Sequence, residues 1–199
     1  MPTVRALVFD VDKVLSDMHW LKVYDAFAAR VHIPRSVVHG YHKQHLGALL
    51  IGETSFEKFV EQMQQHTTVP DIQKIWFEVM SDIVRVNDDL LRFVETLHAN
   101  GYRLGILSNT VESKIAIDKK LGLYEPFDVV CLSCREGVKK PDASFYQTCL
   151  KRLDVVPEES VFIDDQELHV AAAREIGMHG ILFLDNNSLR LELEKLGVR

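Results

Sequence analysis

The sequence predicts an α/β protein, a doubly wound parallel sheet interrupted by an all-helical insertion after its first strand. Two observations carry this. From about Asp17 to Val86 apolar residues recur at helical spacing with few strand-like segments. From Asn87 onward short apolar runs alternate with helical stretches to the end of the chain. Repeated β-α units of that kind imply a parallel sheet with right-handed crossovers and helices on both faces.

The first element is Val4 to Phe9, a short apolar run typical of a strand buried on both faces, which puts Asp10 at its C-terminal tip. Within the insertion, Phe56, Phe59, Val60 and Met63, then Ile72, Ile75, Trp76 and Val79, mark the apolar faces of helices. The alternating part predicts helices at Asp88–Ala99, Val111–Leu121, Asp142–Leu153 and Gln166–Ile176, and a last one from Ser188. The strands between them are Arg103–Leu107, Phe127–Leu132, Val161–Ile163 and Gly180–Phe183. Gly101, Gly122 and Gly177 each follow a predicted helix, where a residue free to take positive φ closes the last turn. The expected division is a catalytic core of residues 1–16 and 87–199 and a cap of residues 17–86.

A chain of 199 residues, 47% of them hydrophobic, buries one full core with a smaller subdomain upon it. Lys and Arg total 23 against 29 Asp and Glu, a net charge of -6 with no long block of either sign, which argues against nucleic acid and anionic membranes as partners. The first residues, MPTVRALVFDVDKVL, break any signal-peptide pattern with charges, and no span of about 18 apolar residues occurs. A soluble, cytoplasmic protein is expected. Cys131, Cys134 and Cys149 are too few and too irregular for a disulfide framework, so reduced thiols are expected. Oligomeric state is not legible.

Ligands of such sheets bind beyond the carboxyl ends of the strands. The residues there pool into one site: Asp10 with Asp12, Ser108 with Asn109, Lys140 in its loop, and Asp164 with Asp165. A carboxylate fixed at a strand end can attack phosphorus polarised by a metal, which gives Asp10 the part of nucleophile. Asp12, two residues on, is placed to protonate the leaving oxygen and later to take a proton from water. Asp164 and Asp165 offer hard oxygen ligands to magnesium. Ser108, Asn109 and the free amides of the next helix can cradle phosphate oxygens. Lys140, before Pro141, adds a point charge for the transferring group, whereas Lys139 is expected to be solvated. Each residue has a plain structural alternative, since strand-end aspartates cap helices and paired lysines sit on surfaces. Their order along one chain is what strengthens the chemical reading.

These segments resemble the haloacid dehalogenase superfamily, through Phe9-Asp10-Val11-Asp12 with Val14-Leu15, Leu107-Ser108-Asn109-Thr110, Gly137-Val138-Lys139-Lys140-Pro141-Asp142 and Phe162-Ile163-Asp164-Asp165. The resemblance implies a Rossmann-like core with a helical cap, Asp10 as nucleophile, Asp12 as acid and base, and Mg2+ near Asp10, the Asp12 carbonyl, Asp164 and Asp165. Arg135-Glu136-Gly137 and Gly177-Met178 look like the sugar-phosphate phosphatase and β-phosphoglucomutase-like members. The expected activity is therefore a magnesium-dependent phosphatase of a small phosphorylated metabolite, a sugar phosphate. A phosphomutase and a catalytically silent binding module are the alternatives. Dehalogenation is the minor one, because the family's dehalogenases generally lack an aspartate at the position of Asp12.

Two residues depart from the family pattern: Lys13 stands where glycine is usual, and His169 where many relatives carry asparagine. Three other features are expected to be structural. His39, His42 and His45 share a helical face read as solvated, with no carboxylate near them in sequence. Cys131 and Cys134 have metal-like spacing without a second pair. Trp20, Trp76 and Phe77 are expected to fill the core of the cap.

Overall fold

The computed structural model describes residues 3–199. Its centre is a five-stranded, wholly parallel sheet of β1 (Ala6–Phe9), β4 (Arg103–Ser108), β5 (Val129–Leu132), β6 (Ser160–Asp164) and β7 (His179–Leu182), in the order β5-β4-β1-β6-β7. β1 is the middle strand. Its last residue, Phe9, lies level with Ile106 of β4 and Ile163 of β6. The next residue, Asp10, therefore emerges between two neighbouring strand ends, where the chain order reverses and open α/β sheets bind ligands.

Alternation along the strands sends side chains to two separate cores. Leu7, Phe9, Ile106 and Ile163 pack beneath α5 (Asp88–Ala99), α6 (Glu112–Lys120) and α10 (Asn186–Lys195). Ala6, Val8, Leu107 and Phe162 face α8 (Ala143–Leu153) and α9 (Glu167–Glu175). With helices on both faces, the fold is the doubly wound, Rossmann-like class. The helix ends obey ordinary capping rules. Asn87, Asp142 and Asp185 accept from backbone amides in the first turns of α5, α8 and α10, and Gly177 takes φ 98° just beyond α9.

Between β1 and α5 lie four helices, α1 (Trp20–Arg30), α2 (Arg35–Leu50), α3 (Phe56–Gln64) and α4 (Ile72–Ile83), packed around a third core that includes Phe27, Phe59 and Trp76. We refer to them as the cap. Two short strands that helical periodicity does not reveal stand at its root: β2 (Ser16–Asp17) pairs antiparallel with β3 (Arg85–Val86). Two-residue strands leave no alternation to detect. A short helix, α7 (Ser133–Glu136), likewise escapes the pattern.

Glycine positions separate open from crowded backbone. A Cβ on Gly180, in β7, would sit 2.9 Å from the Val170 carbonyl oxygen, whereas one on Gly40, inside α2, meets nothing within 4 Å. Gly180→Ala is expected to destabilise the protein by about 1–3 kcal/mol through overpacking. Gly40→Ala should stabilise it by roughly 0.5–1 kcal/mol through helix propensity. Urea unfolding of the two variants checks both signs, and like signs would refute this account.

Candidate active site

Three strand ends meet at Lys140. Its ammonium is fully buried, 2.8 Å from Asp10 Oδ1 and 2.6 Å from Asp164 Oδ2. A charge so deeply buried persists only when paired and hydrogen-bonded. The two carboxylates accordingly hold the Lys140 ammonium above its ordinary pKa although burial works in the opposite direction. The Lys140 backbone is fixed too: its N–H donates to Asn109 Oδ1 at 2.8 Å, and Asn109 Nδ2 donates to its carbonyl at 3.0 Å. Asn109 thus spends its side chain on tying the end of β4 to the lysine loop. The expected phosphate cradle of Ser108 and Asn109 is present only as location, with Ser108 buried at the tip of β4 and Asn109 at the pocket wall.

Asp164 is wholly buried and surrounded by donors. Besides Lys140, the Gln166 amide donates to Oδ1 at 2.8 Å, and His169 Nδ1 faces both carboxylate oxygens at 3.2 and 3.1 Å. Burial would raise its pKa, but the His169 hydrogen bond and the Lys140 charge outweigh it and hold Asp164 below the ordinary value. His169, the second departure from the family pattern, therefore supplies a donor to the aspartate that lines this loop.

Asp10, Asp164 and Asp165 each present an oxygen within 4.8 Å of the others, the one such cluster of three metal-ligating side chains among the described residues. Burial pushes the Asp10 carboxyl up to about 6. Lys140 pulls against that rise, and the charges of Asp164 and Asp12 add to it. An excess of carboxylate over buried ammonium, all hard oxygen, is the donor set that suits a small divalent cation. Lys13, the first departure, holds φ 63° as a glycine would, and its ammonium lies 3.2 Å from Asp165 Oδ2. The turn keeps its shape at a cost of about 1–2 kcal/mol.

Asp12 faces the same pocket as Asp10 but is held by different partners. Lys114 Nζ lies 2.8 Å from Asp12 Oδ1, an ion pair rather than a well-angled hydrogen bond. Trp20 Nε1 donates to Asp12 Oδ2 at 3.3 Å. Lys114 is itself buried, paired at 2.7 Å with Asp118, whose other oxygen accepts from the Tyr124 hydroxyl at 2.9 Å. Lys114 was missed in the sequence because nothing in its helix marks it as buried.

The histidines correct one expectation and Trp20 extends another. Trp20 packs against the cap core as expected but also lines the cleft and donates to Asp12, while Trp76 lies within that core. The histidine face is only partly exposed. His42 lines the pocket and packs on Trp20 and Tyr24, and His39 lies 3.0 Å from Asp25, a carboxylate that α1 brings from distant sequence. Burial, then the neighbouring His39, push the His42 pKa down to about 4. Cys131 is buried and Cys134 half-buried, and both are free thiols.

Comparison with known proteins follows this geometry. A family model described as haloacid dehalogenase-like hydrolase matches residues 4–177. Bifunctional epoxide hydrolase 2 of Sus scrofa is 27% identical over 219 residues, covering 97% of this chain and 39% of that protein, so the chain spans about two fifths of that relative's length. A phosphorylated carbohydrates phosphatase of Thermotoga maritima is 26% identical over 190 residues, covering 89% of this chain and 84% of that protein. A haloacid dehalogenase family enzyme of Bacteroides thetaiotaomicron superposes with a TM-score of 0.82 at 16% identity, over 95% of this chain and 98% of that one. Its complex with magnesium and inorganic phosphate superposes with a TM-score of 0.76 at 17% identity, over 90% and 93% of the two chains.

Removing Lys114 leaves Asp118 buried and uncompensated beside Asp12. Lys114→Met is expected to cost about 3–5 kcal/mol of stability, and Lys114→Met with Asp118→Leu substantially less. Guanidinium unfolding of the singles and the double decides it. A double variant as unstable as the sum of the singles would show that the two groups are not coupled.

Proposed function

The chain belongs to the haloacid dehalogenase-like hydrolases, and from that premise we propose that it is a magnesium-dependent phosphatase of a small phosphorylated metabolite. The observation that carries the reading is the meeting of Asp10, Lys140 and the Asp164–Asp165 pair at the C-terminal end of the central strand. The complex of the Bacteroides neighbour with magnesium and phosphate, and the phosphatase name of the Thermotoga relative, support it.

In this reading Asp10 attacks phosphorus, forming an aspartyl-phosphate while the bond to the leaving alcohol breaks. Asp12 gives that alcohol its proton, then takes one from the water that attacks the phosphorylated Asp10 and releases inorganic phosphate. Lys140 holds the Asp10 oxygen in place and supplies positive charge beside the phosphoryl group. Asp10, Asp164, Asp165 and the Asp12 carbonyl would hold magnesium, whose charge would offset that of the nucleophile and the phosphate. Ser108 and those amides after β4 that are free, the Thr110 N–H being donated to Ser133 Oγ, receive the phosphate oxygens.

The deciding experiment is phosphate release from p-nitrophenyl phosphate with and without magnesium, for the wild type and Asp10→Asn. Magnesium-dependent release that falls by on the order of a thousandfold or more in Asp10→Asn is expected. A variant as active as the wild type would sink the proposal.

The raised pKa of Asp10 sets a pH dependence. Its carboxyl is ionised above about 6 and protonated below, and cation binding needs the ionised form. Magnesium affinity by calorimetry should therefore weaken about tenfold between pH 7.5 and pH 5. An affinity that stays flat over that range would contradict it.

A further inference from the structure

The pocket above Asp10, about 380 Å3, is polar on its core side and largely apolar on its cap side, where Met18, Leu46 and Leu50 face it. A second cavity, of about 190 Å3, adjoins it. Trp20, His42 and Val111 line both, and Leu49, Phe56, Phe59 and Trp76 wall the second. Those rings pack against one another, with Phe59 and Trp76 centroids 4.6 Å apart and Phe56 and Trp76 5.8 Å apart.

Several polar groups around the two spaces are committed, although Thr110 Oγ1 on the first and Trp76 Nε1 on the second have no hydrogen-bond partner among the described residues. Trp20 donates to Asp12, and Glu112 at the far rim is bound to Arg135 at 2.5 Å. His42 lies within 2.8 Å of the Tyr24 hydroxyl. Among the described residues lining both spaces, Lys13 carries the one Lys or Arg charge, and it is paired with Asp165. A sugar body would bring several hydroxyls to a wall made mainly of aromatic and aliphatic side chains and would lose more of their water than the few free polar groups there could replace. An apolar body loses nothing and gains the aromatic contact. The size suits a single ring, since a dry cavity of about 150 Å3 accommodates benzene.

We propose that the substrate is the phosphomonoester of an apolar, ring-sized alcohol, with the phosphate over Asp10 and the body threaded past Trp20 and His42 into the aromatic cavity. The assignment rests on the reading of Asp10 as the phosphoryl acceptor, and it departs from the sugar phosphate expected from sequence.

The test compares kcat/KM for ethyl phosphate, 2-phenylethyl phosphate, glycerol 1-phosphate and glucose 6-phosphate in magnesium. All are alkyl esters, so the body and not the leaving-group chemistry dominates. Acetyl phosphate, which has no body to seat, reads the phosphotransfer step alone. The phenylethyl ester should exceed the ethyl ester by on the order of 30-fold, the effect of burying a phenyl ring, and the two hydroxylated esters should not exceed the ethyl ester. Thr54→Trp, which fills the cavity from its rim, should reduce the phenylethyl-to-ethyl ratio to below about fivefold, as the ring contact is lost. The wild-type series decides by itself if that variant does not fold. Turnover of acetyl phosphate with a phenylethyl-to-ethyl ratio near one, or with the sugar phosphate preferred, overturns the substrate class alone. No turnover of any ester or of acetyl phosphate removes the phosphatase reading and this inference with it.

Discussion

The architecture turns on one buried ammonium. Lys140 has no exposed surface at its charged end, and a lone ammonium there would be untenable. Asp10 must arrive from β1 and Asp164 from β6, and Asn109 at the end of β4 clasps the lysine loop from the other side. The strand order, with β1 between β4 and β6, is what allows three sequence-distant segments to reach one cation. The same arrangement leaves Asp165 and one face of Asp10 turned toward the pocket. Electrostatic satisfaction of the core and the presentation of Asp10 and Asp165 to the pocket are thus a single geometric solution.

Most of the sheet was legible because burial on both faces writes itself as unbroken apolar runs. Val4–Phe9 and Val161–Ile163 lie where those runs place them, and the predicted helix ends at Gly101, Gly122 and Gly177 coincide with residues at positive φ. The pooled carboxylates were legible for a different reason. Strand ends in a parallel sheet share one edge, so residues far apart in sequence but each just past a strand must be neighbours.

What escaped was everything that depends on a side chain's partner. Lys114 sits in an ordinary charged helix, and only the fold shows that Asp12 and Asp118 draw it inward. That Asn109 also ties the lysine loop, its Oδ1 accepting from the Lys140 N–H and its Nδ2 donating to the Lys140 carbonyl, is visible only once the fold brings the two together. The histidine face of α2 appeared solvated because its neighbours, Tyr24, Asp25 and Trp20, come from another helix. Periodicity assigns a face to a residue but does not say what stands opposite.

The small clamp of β2 and β3 has a topological consequence. Ser16 pairs with Val86 and Asp17 with Arg85, while Asn87 donates its backbone N–H to Leu15 and its side-chain amide to Val14. The two ends of the cap are thereby stitched together at the core surface, so the sheet meets the whole insertion as if it were a tight hairpin. The entropy of closing that long loop is opposed locally, by the clamp and the cap's own core, and grows only logarithmically with whatever length is inserted. The root therefore works as a socket. A change of length between Asp17 and Arg85 would leave the register of the five sheet strands untouched, because both ends of the insertion are fixed at the clamp and none of those strands lies within it.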